Sequence, residues 1–243
     1  MNTQFLDKYN IPKPILVLII GGFIQSVGNS FLWPLNSIFV HNVLGRSLTD
    51  AGTLISLQAL ATLLGQLISG ALSDRFGARK VMICGLIGAV LPLALVGYFP
   101  IWEVYAPGIL VYGFALAFIF VPINALIFTL WPEGGRKGFN LLYVFNNAGV
   151  AVGTAVGGFI ASISFRLVFW LNGLGFLIYL VLVLLFLPAR DTQVKATGKV
   201  KDKTPIFRDR GFPVLLALSA GIFLMWSAYI QVNTVLPVTM TDL

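Results

Sequence analysis

Charge is the scarcest resource in this sequence. Asp, Glu, Lys and Arg make up 10% of its 243 residues, against 58% hydrophobic residues and a mean hydropathy of +0.91. A soluble domain carries roughly 25% charged residues. A water-soluble globule of this size is therefore excluded, and lipid must solvate much of the apolar surface. There is one cysteine, Cys84, so no intrachain disulfide and no cysteine-rich metal site can form. Cys84 lies in an apolar run and is expected to be a small packing residue. There is also one histidine, His41, which excludes a multi-histidine metal site. No metal or cofactor is expected. An intramembrane enzyme would need a nucleophile–base pair or metal ligands within the apolar runs. The nine acidic residues (Asp7, Asp50, Asp74, Glu103, Glu133, Asp191, Asp202, Asp209 and Asp242) all fall outside the middle of those runs.

What is present is a series of long apolar segments. A spanning helix needs about 20 mostly apolar residues. Seven runs qualify: Ile15–Val40, Ala51–Leu72, Val81–Phe99, Tyr105–Trp131, Leu141–Ser164, Leu167–Leu187 and Phe212–Val238. Their length and uniformity predict helices rather than the ~10-residue alternating strands of a membrane barrel. The first run is too long for a cleavable signal, and no small-residue cleavage site follows it. The expected fold class is an all-α membrane protein.

The net charge of +7 could suggest nucleic acid, but the placement of the charges points to topology. With the N-terminus in the cytoplasm, fourteen Lys and Arg residues lie inside, and only Arg46 and Arg166 lie outside. Seven of the fourteen fall between Arg190 and Arg210. No nucleic-acid partner is expected. The expected location is the plasma membrane, multi-pass, with a cytoplasmic N-terminus.

Six spans joined by short loops are followed by a polar, basic stretch and then a seventh span. This predicts a six-helix bundle over 1–188, a cytoplasmic linker over 189–211, and over 212–243 the first helix of a second bundle that the chain does not complete. A finished seven-helix receptor or pump is the alternative, but it leaves the long linker unexplained.

The first run contains Trp33-Pro34-Leu35-Asn36 and the fourth Val121-Pro122-Ile123-Asn124. Pro-x-Asn in matching places suggests a three-plus-three repeat, and Pro-interrupted spans of corresponding position point to a transporter's binding site. Leu236-Pro237-Val238 repeats the interruption in the seventh run. In the first run, Gln25, Asn29, Trp33 and Asn36 share one helix face. Amides in a span need polar partners and should face the bundle interior. Asn124, Asn146, Asn147, Gln231 and Asn233 are further candidates for the same cavity. Interhelical hydrogen bonding without ligand contact is the competing reading.

Between the second and third runs stands Gly70-Ala71-Leu72-Ser73-Asp74-Arg75-Phe76-Gly77-Ala78-Arg79-Lys80. Gly77 suits the turn that reverses the chain, and Arg75, Arg79 and Lys80 suit an inner membrane surface. The string resembles the signature loop of the major facilitator superfamily, Gly-x-x-x-Asp-Arg/Lys-x-Gly-Arg-Arg/Lys-Arg/Lys. It matches at Gly70, Asp74, Arg75, Gly77, Arg79 and Lys80 and departs at Ala78. The resemblance implies that this loop is a conformational latch, with Arg136 after the fourth span as an internal partner.

The fifth run holds Gly149, Gly153 and Gly157 four residues apart, a smooth stripe for close helix approach whatever the function. With Thr154 and Gly158, the stretch also resembles the antiporter motif Gly-x-x-x-Gly-Pro-x-x-Gly-Gly of that superfamily's drug:proton exporters. Thr154 replaces the proline, and its hydroxyl can bond back to a preceding carbonyl. Two departures stand against simple proton exchange. The fourth-span pattern Arg-x-x-Gln-Gly is replaced by Ile109-Leu110-Val111-Tyr112-Gly113, and the fifth span has Leu142-Tyr143 where some relatives carry a carboxylate. The resemblance implies export of small amphipathic molecules, with protons as the coupling partner and a second bundle needed for transport. Export of sugars or other metabolites, or a non-transporting membrane subunit, are the alternatives.

Overall fold

The computed structural model describes residues 11–188, 213–214, 216–225 and 227. Within the first helix it describes the backbone but not the side chains of Phe31, Trp33 and Pro34. The expected linker 189–211 and the candidates Gln231 and Asn233 lie outside the described residues, as does the side chain of Trp33.

Six long helices follow one another: α1 (Lys13–Ile38), α2 (Leu48–Phe76), α3 (Ala78–Tyr98), α4 (Trp102–Leu130), α5 (Arg136–Ile163) and α6 (Phe165–Phe186). Each begins where local chemistry allows. Pro12 precedes α1, and Pro14 sits in its first turn, where no backbone donor is needed. Ser47 and Asp50 close a reciprocal capping box at α2. The Ser164 hydroxyl accepts from the Arg166 N–H at 3.2 Å at the start of α6. Gly77 stands between α2 and α3 at φ 92° and ψ 137°, a conformation open essentially to glycine alone.

Helices α2 to α6 are long and apolar enough to cross a membrane, and α1 joins them when its two halves count as one span. Those halves, Lys13–Ser30 and Leu35–Val43, meet at 41°. Pro34 lies at the bend, where it removes a hydrogen-bond donor from the helix. A π-helical turn, Phe39–Val43, ends the second half. A further apolar helix, Leu216–Met225, belongs to a second unit that begins at Lys195.

The packing of the six helices carries an internal symmetry. Helix α1 packs chiefly on α5 and α6, α4 chiefly on α2 and α3, and α3 lies against α6. Exchanging α1 with α4, α2 with α5 and α3 with α6 maps this arrangement onto itself. The three-plus-three repeat expected from the two Pro-x-Asn strings is thus present in the tertiary packing. Small residues form its equivalent seams. Gly149, Gly153 and Gly157 of α5 are buried, and Gly65, Ser69 and Ser73 of α2 are buried at the same four-residue spacing. Lipid tails are as apolar as leucine, so close backbone approach and van der Waals contact must hold such helices together.

Cys84 corrects an expectation. Its side chain is exposed on α3. The close contact with α4 is made instead by its neighbour Gly85, where an added Cβ would stand 2.7 Å from Phe118 Cβ. A thiol is bulkier than this seam tolerates.

Two contacts tie helix ends together at opposite ends of the bundle. Arg79 on α3 donates to the Leu184 carbonyl near the end of α6 at 3.2 Å. Arg46, before α2, pairs with Glu103 at the start of α4 at 3.8 Å, and its guanidinium lies 5.1 Å from the Trp102 ring centre. The alternation of the six spans requires this segregation. An aromatic cluster closes the Arg46 end, with Phe39 5.0 Å from Tyr105 and 4.9 Å from Phe169 between ring centres.

Candidate functional site

Helices α2 and α5 are the least buried and least apolar of the spans. Their uncovered faces are polar in part. Asn140, Asn147 and Thr154 lie seven apart along α5 and are exposed, while Gln66 is exposed and Gln58 half-buried on α2. The uncovered faces of α3 and α6 carry large hydrophobics, among them Ile87, Leu91, Leu95, Leu174, Ile178 and Leu185, and no exposed amide; α2 and α5 expose large hydrophobics as well, such as Leu60, Leu67, Val144 and Phe159, beside their amides. The bundle therefore has lipid-like faces on α3 and α6 and an open, amide-bearing face on α2 and α5.

The expected cavity stripe on α1 divides by depth. Gln25 is 4% exposed, whereas Asn29 and Asn36 are half-buried. Asn29 Oδ1 accepts the Tyr112 hydroxyl of α4 at 2.8 Å, a bond between the two helices that the repeat equates. Asn36 Oδ1 is buried without a hydrogen-bond partner among the described residues. On α5, the half-buried Asn146 sits over Gly22 of α1, and its Oδ1 is likewise unpartnered. Asn147 and Asn124 are exposed, and each amide donates at 2.8 Å to a carbonyl one turn back, Tyr143 and Phe120 respectively. Asn147 lies on the open face of α5, Asn124 is exposed on α4, and neither is bonded to Asn29 among the described residues.

The α5 motif residues also separate. A Cβ at Gly149 would stand 2.6 Å from the Phe23 carbonyl oxygen of α1, and at Gly153 it would run into the Val27 carbonyl and the Ser30 hydroxyl. Thr154 bonds back to the Val150 carbonyl at 2.8 Å. Gly158 is exposed with nothing within 4 Å of an added Cβ, so it takes no part in the seam with α1.

In the loop string, Asp74 and Arg75 are exposed at the end of α2, and the Arg75 guanidinium lies 5.2 Å from the Phe76 ring centre. Arg79 is committed to α6 through Leu184. Arg136 is exposed at the start of α5, and among the described residues it forms no ion pair with Asp74.

Sequence reasoning did not assign Tyr112 or Asn172 to the site. Tyr112 stood out only as a departure from a motif. The signal for Asn172 is that it is a lone amide deep in the otherwise apolar α6.

A family model for the Major Facilitator Superfamily matches residues 18–243. The chain belongs to that superfamily. It is therefore a multi-pass membrane protein in a family of transporters rather than enzymes. Among superfamily relatives, an uncharacterized MFS-type transporter, YttB of Bacillus subtilis, is 39% identical over 92% of this chain and 56% of its own length. The multidrug resistance protein MdtH of Shigella dysenteriae is 24% identical over 98% of this chain and 57% of its own. Among superfamily structures, the human organic anion transporter MFSD10 superposes with a TM-score of 0.61 at 20% identity, over 74% of this chain and 48% of that one. That likeness supports the fold alone. The chain spans little more than half the length of the relatives it matches.

Proposed function

We propose that the complete protein is a secondary active exporter of drugs or other small amphipathic molecules. It works by alternating access between this bundle and a second one. The observation that carries the reading is the open face of α2 and α5, uncovered and polar in part, flanked by half-buried amides on α1. Such a face suits an aqueous cavity and a partner bundle better than lipid, since unpaired amides in hydrocarbon cost free energy. The resemblance of the α5 seam to an exporter motif and the likeness to MdtH favour drugs as cargo.

In this reading residues 1–188 form one bundle, 189–211 a cytoplasmic linker and 212–243 the start of the second bundle. The protein sits in the plasma membrane with its N-terminus inside. Gly70, Asp74, Arg75, Gly77, Arg79 and Lys80 form the latch loop, with Arg136 beside it. Asn29, Asn36, Asn124, Asn146 and Asn147 line the cavity. Protons drive export. The carboxylates Asp50, Asp74, Glu103 and Glu133 all stand at helix ends, so the coupling acid belongs to the second bundle.

The test is efflux of a fluorescent cationic dye from cells expressing the complete open reading frame, with and without a protonophore. Protonophore-sensitive efflux is expected. With the protein present in the membrane, no efflux would overturn drug export and turn the search to sugars and other neutral metabolites.

A further inference from the structure

Three amides of the candidate site are turned the same way. Asn29 and Asn36 of α1 and Asn146 of α5 are each half-buried. Asn29 Oδ1 faces inward and accepts the Tyr112 hydroxyl at 2.8 Å. Asn36 Oδ1 and Asn146 Oδ1 are enclosed by protein as well. The three Nδ2 groups are not enclosed, and among the described residues they donate no hydrogen bond. For Asn146 the orientation has a physical reason. Its Oδ1 lies 2.7 Å from where a Cβ of Gly22 would stand, so the Gly22 Cα–H is directed at it. A carbonyl oxygen can accept such a contact, whereas an N–H2 group pressed there would be buried without an acceptor.

The three amides also form a column. Gly22, Asn29 and Asn36 follow one another at seven-residue steps along α1, two helical turns or about 10 Å each. Asn146 stands at the level of Gly22. Asn124 and Asn147 are turned the opposite way, since their Nδ2 groups are bonded to the Phe120 and Tyr143 carbonyls. Both of these residues are exposed, where water can serve the free oxygen. Asp50, Asp74, Glu103 and Glu133 stand at helix ends. The half-buried part of the site therefore offers hydrogen-bond donors, with no mid-span carboxylate among the described residues.

We propose that Asn29, Asn36 and Asn146 select cargo by its hydrogen-bond acceptors. The cargo class is an amphipathic molecule bearing carbonyl, ester, ether or carboxylate oxygens, and positive charge alone is not what these residues recognise. A molecule without acceptors displaces water from the half-buried donors and leaves them unpaired, which weakens its binding. This assignment rests on the transport reading and narrows it.

The test compares two lipophilic cations of equal charge, a rhodamine methyl ester, which carries acceptor oxygens, and tetraphenylphosphonium, which carries none. Binding of each is measured directly on the purified complete protein in lipid nanodiscs, with empty nanodiscs subtracted. The wild type is expected to bind the ester at least tenfold more tightly. Asn36→Leu and Asn146→Leu should each weaken ester binding by about two- to tenfold, the equivalent of one neutral hydrogen bond, and leave tetraphenylphosphonium binding unchanged. Equal affinity of the wild type for the two probes would overturn the proposal. So would variants that bind the ester as the wild type does, or that lose affinity for both probes alike. The wild-type comparison needs no variant, so it decides the matter even where a substitution prevents folding. Efflux of both probes from cells, protonophore-sensitive and equally fast, would overturn acceptor selection and leave export standing. Binding of neither probe and efflux of neither would overturn both.

Discussion

The Tyr112 hydroxyl of α4 donates to Asn29 Oδ1 of α1 at 2.8 Å. This bond joins the two helices that the internal repeat equates, α1 and α4, which otherwise touch little. Because Asn29 is half-buried, its carbonyl can find water when the phenol is removed. Tyr112→Phe is therefore expected to destabilise the bundle by only about 0.5–1.5 kcal/mol, the net worth of one hydrogen bond. Thermal unfolding of the purified protein in detergent measures this. A loss several times larger would show that Tyr112 holds the two halves together.

Gly153 and Gly158 carry opposite expectations although they sit in one motif. Gly153 lies against the α1 backbone at Val27. Gly153→Leu should cost at least the upper end of the ~1–3 kcal/mol typical of overpacking and lower the yield of folded protein. Gly158→Leu, which meets no neighbour within 4 Å in the bundle, should melt as the wild type does. The pair is read from detergent melting curves, and equal effects would place the seam elsewhere.

Gly77→Ala tests backbone conformation rather than contact. An added Cβ would touch nothing within 4 Å, but φ is 92°. The expected cost is ~1–3 kcal/mol from the strained dihedral alone. A melting temperature unchanged from wild type would mean that the turn relaxes.

Asp74→Asn bears on the proposed latch. The carboxylate is exposed at the end of α2 and unpaired with Arg136, so its loss should leave membrane insertion intact. Transport should slow by about tenfold, the rate equivalent of one charge-assisted interaction of ~1.5 kcal/mol. Initial efflux rates normalised to the amount of protein in the membrane decide the matter, and wild-type rates would remove the latch role.

The elements themselves were legible because length and apolarity are local properties. The run read as Val81–Phe99 became a helix over Ala78–Tyr98, and Leu167–Leu187 became Phe165–Phe186. The helices overran the apolar runs where polar caps extended them, as at Ser47 and Asp50 before Ala51. The repeat was legible in two Pro-x-Asn strings because a proline marks its position whatever surrounds it. Thr154 was legible for the same reason, since its bond to Val150 stays within one turn.

By itself, then, the sequence determined a helical membrane protein, its first six spans, its loop motif and its superfamily, all of which are carried by local composition or contiguous residues. Only the tertiary structure decided which faces are open. Spans that are apolar nearly all round, such as α3 and α6, give no periodic signal to mark the packed side; on α5 the stripe Gly149, Gly153 and Gly157 did mark it, but that the opposite face stays uncovered had to come from the packing. The same holds for the partners of isolated polar residues. Asn29 and Tyr112 are 83 positions apart, and Arg79 and Leu184 are 105 apart. Nothing in the spacing of either pair announces a bond that exists only because two helices cross.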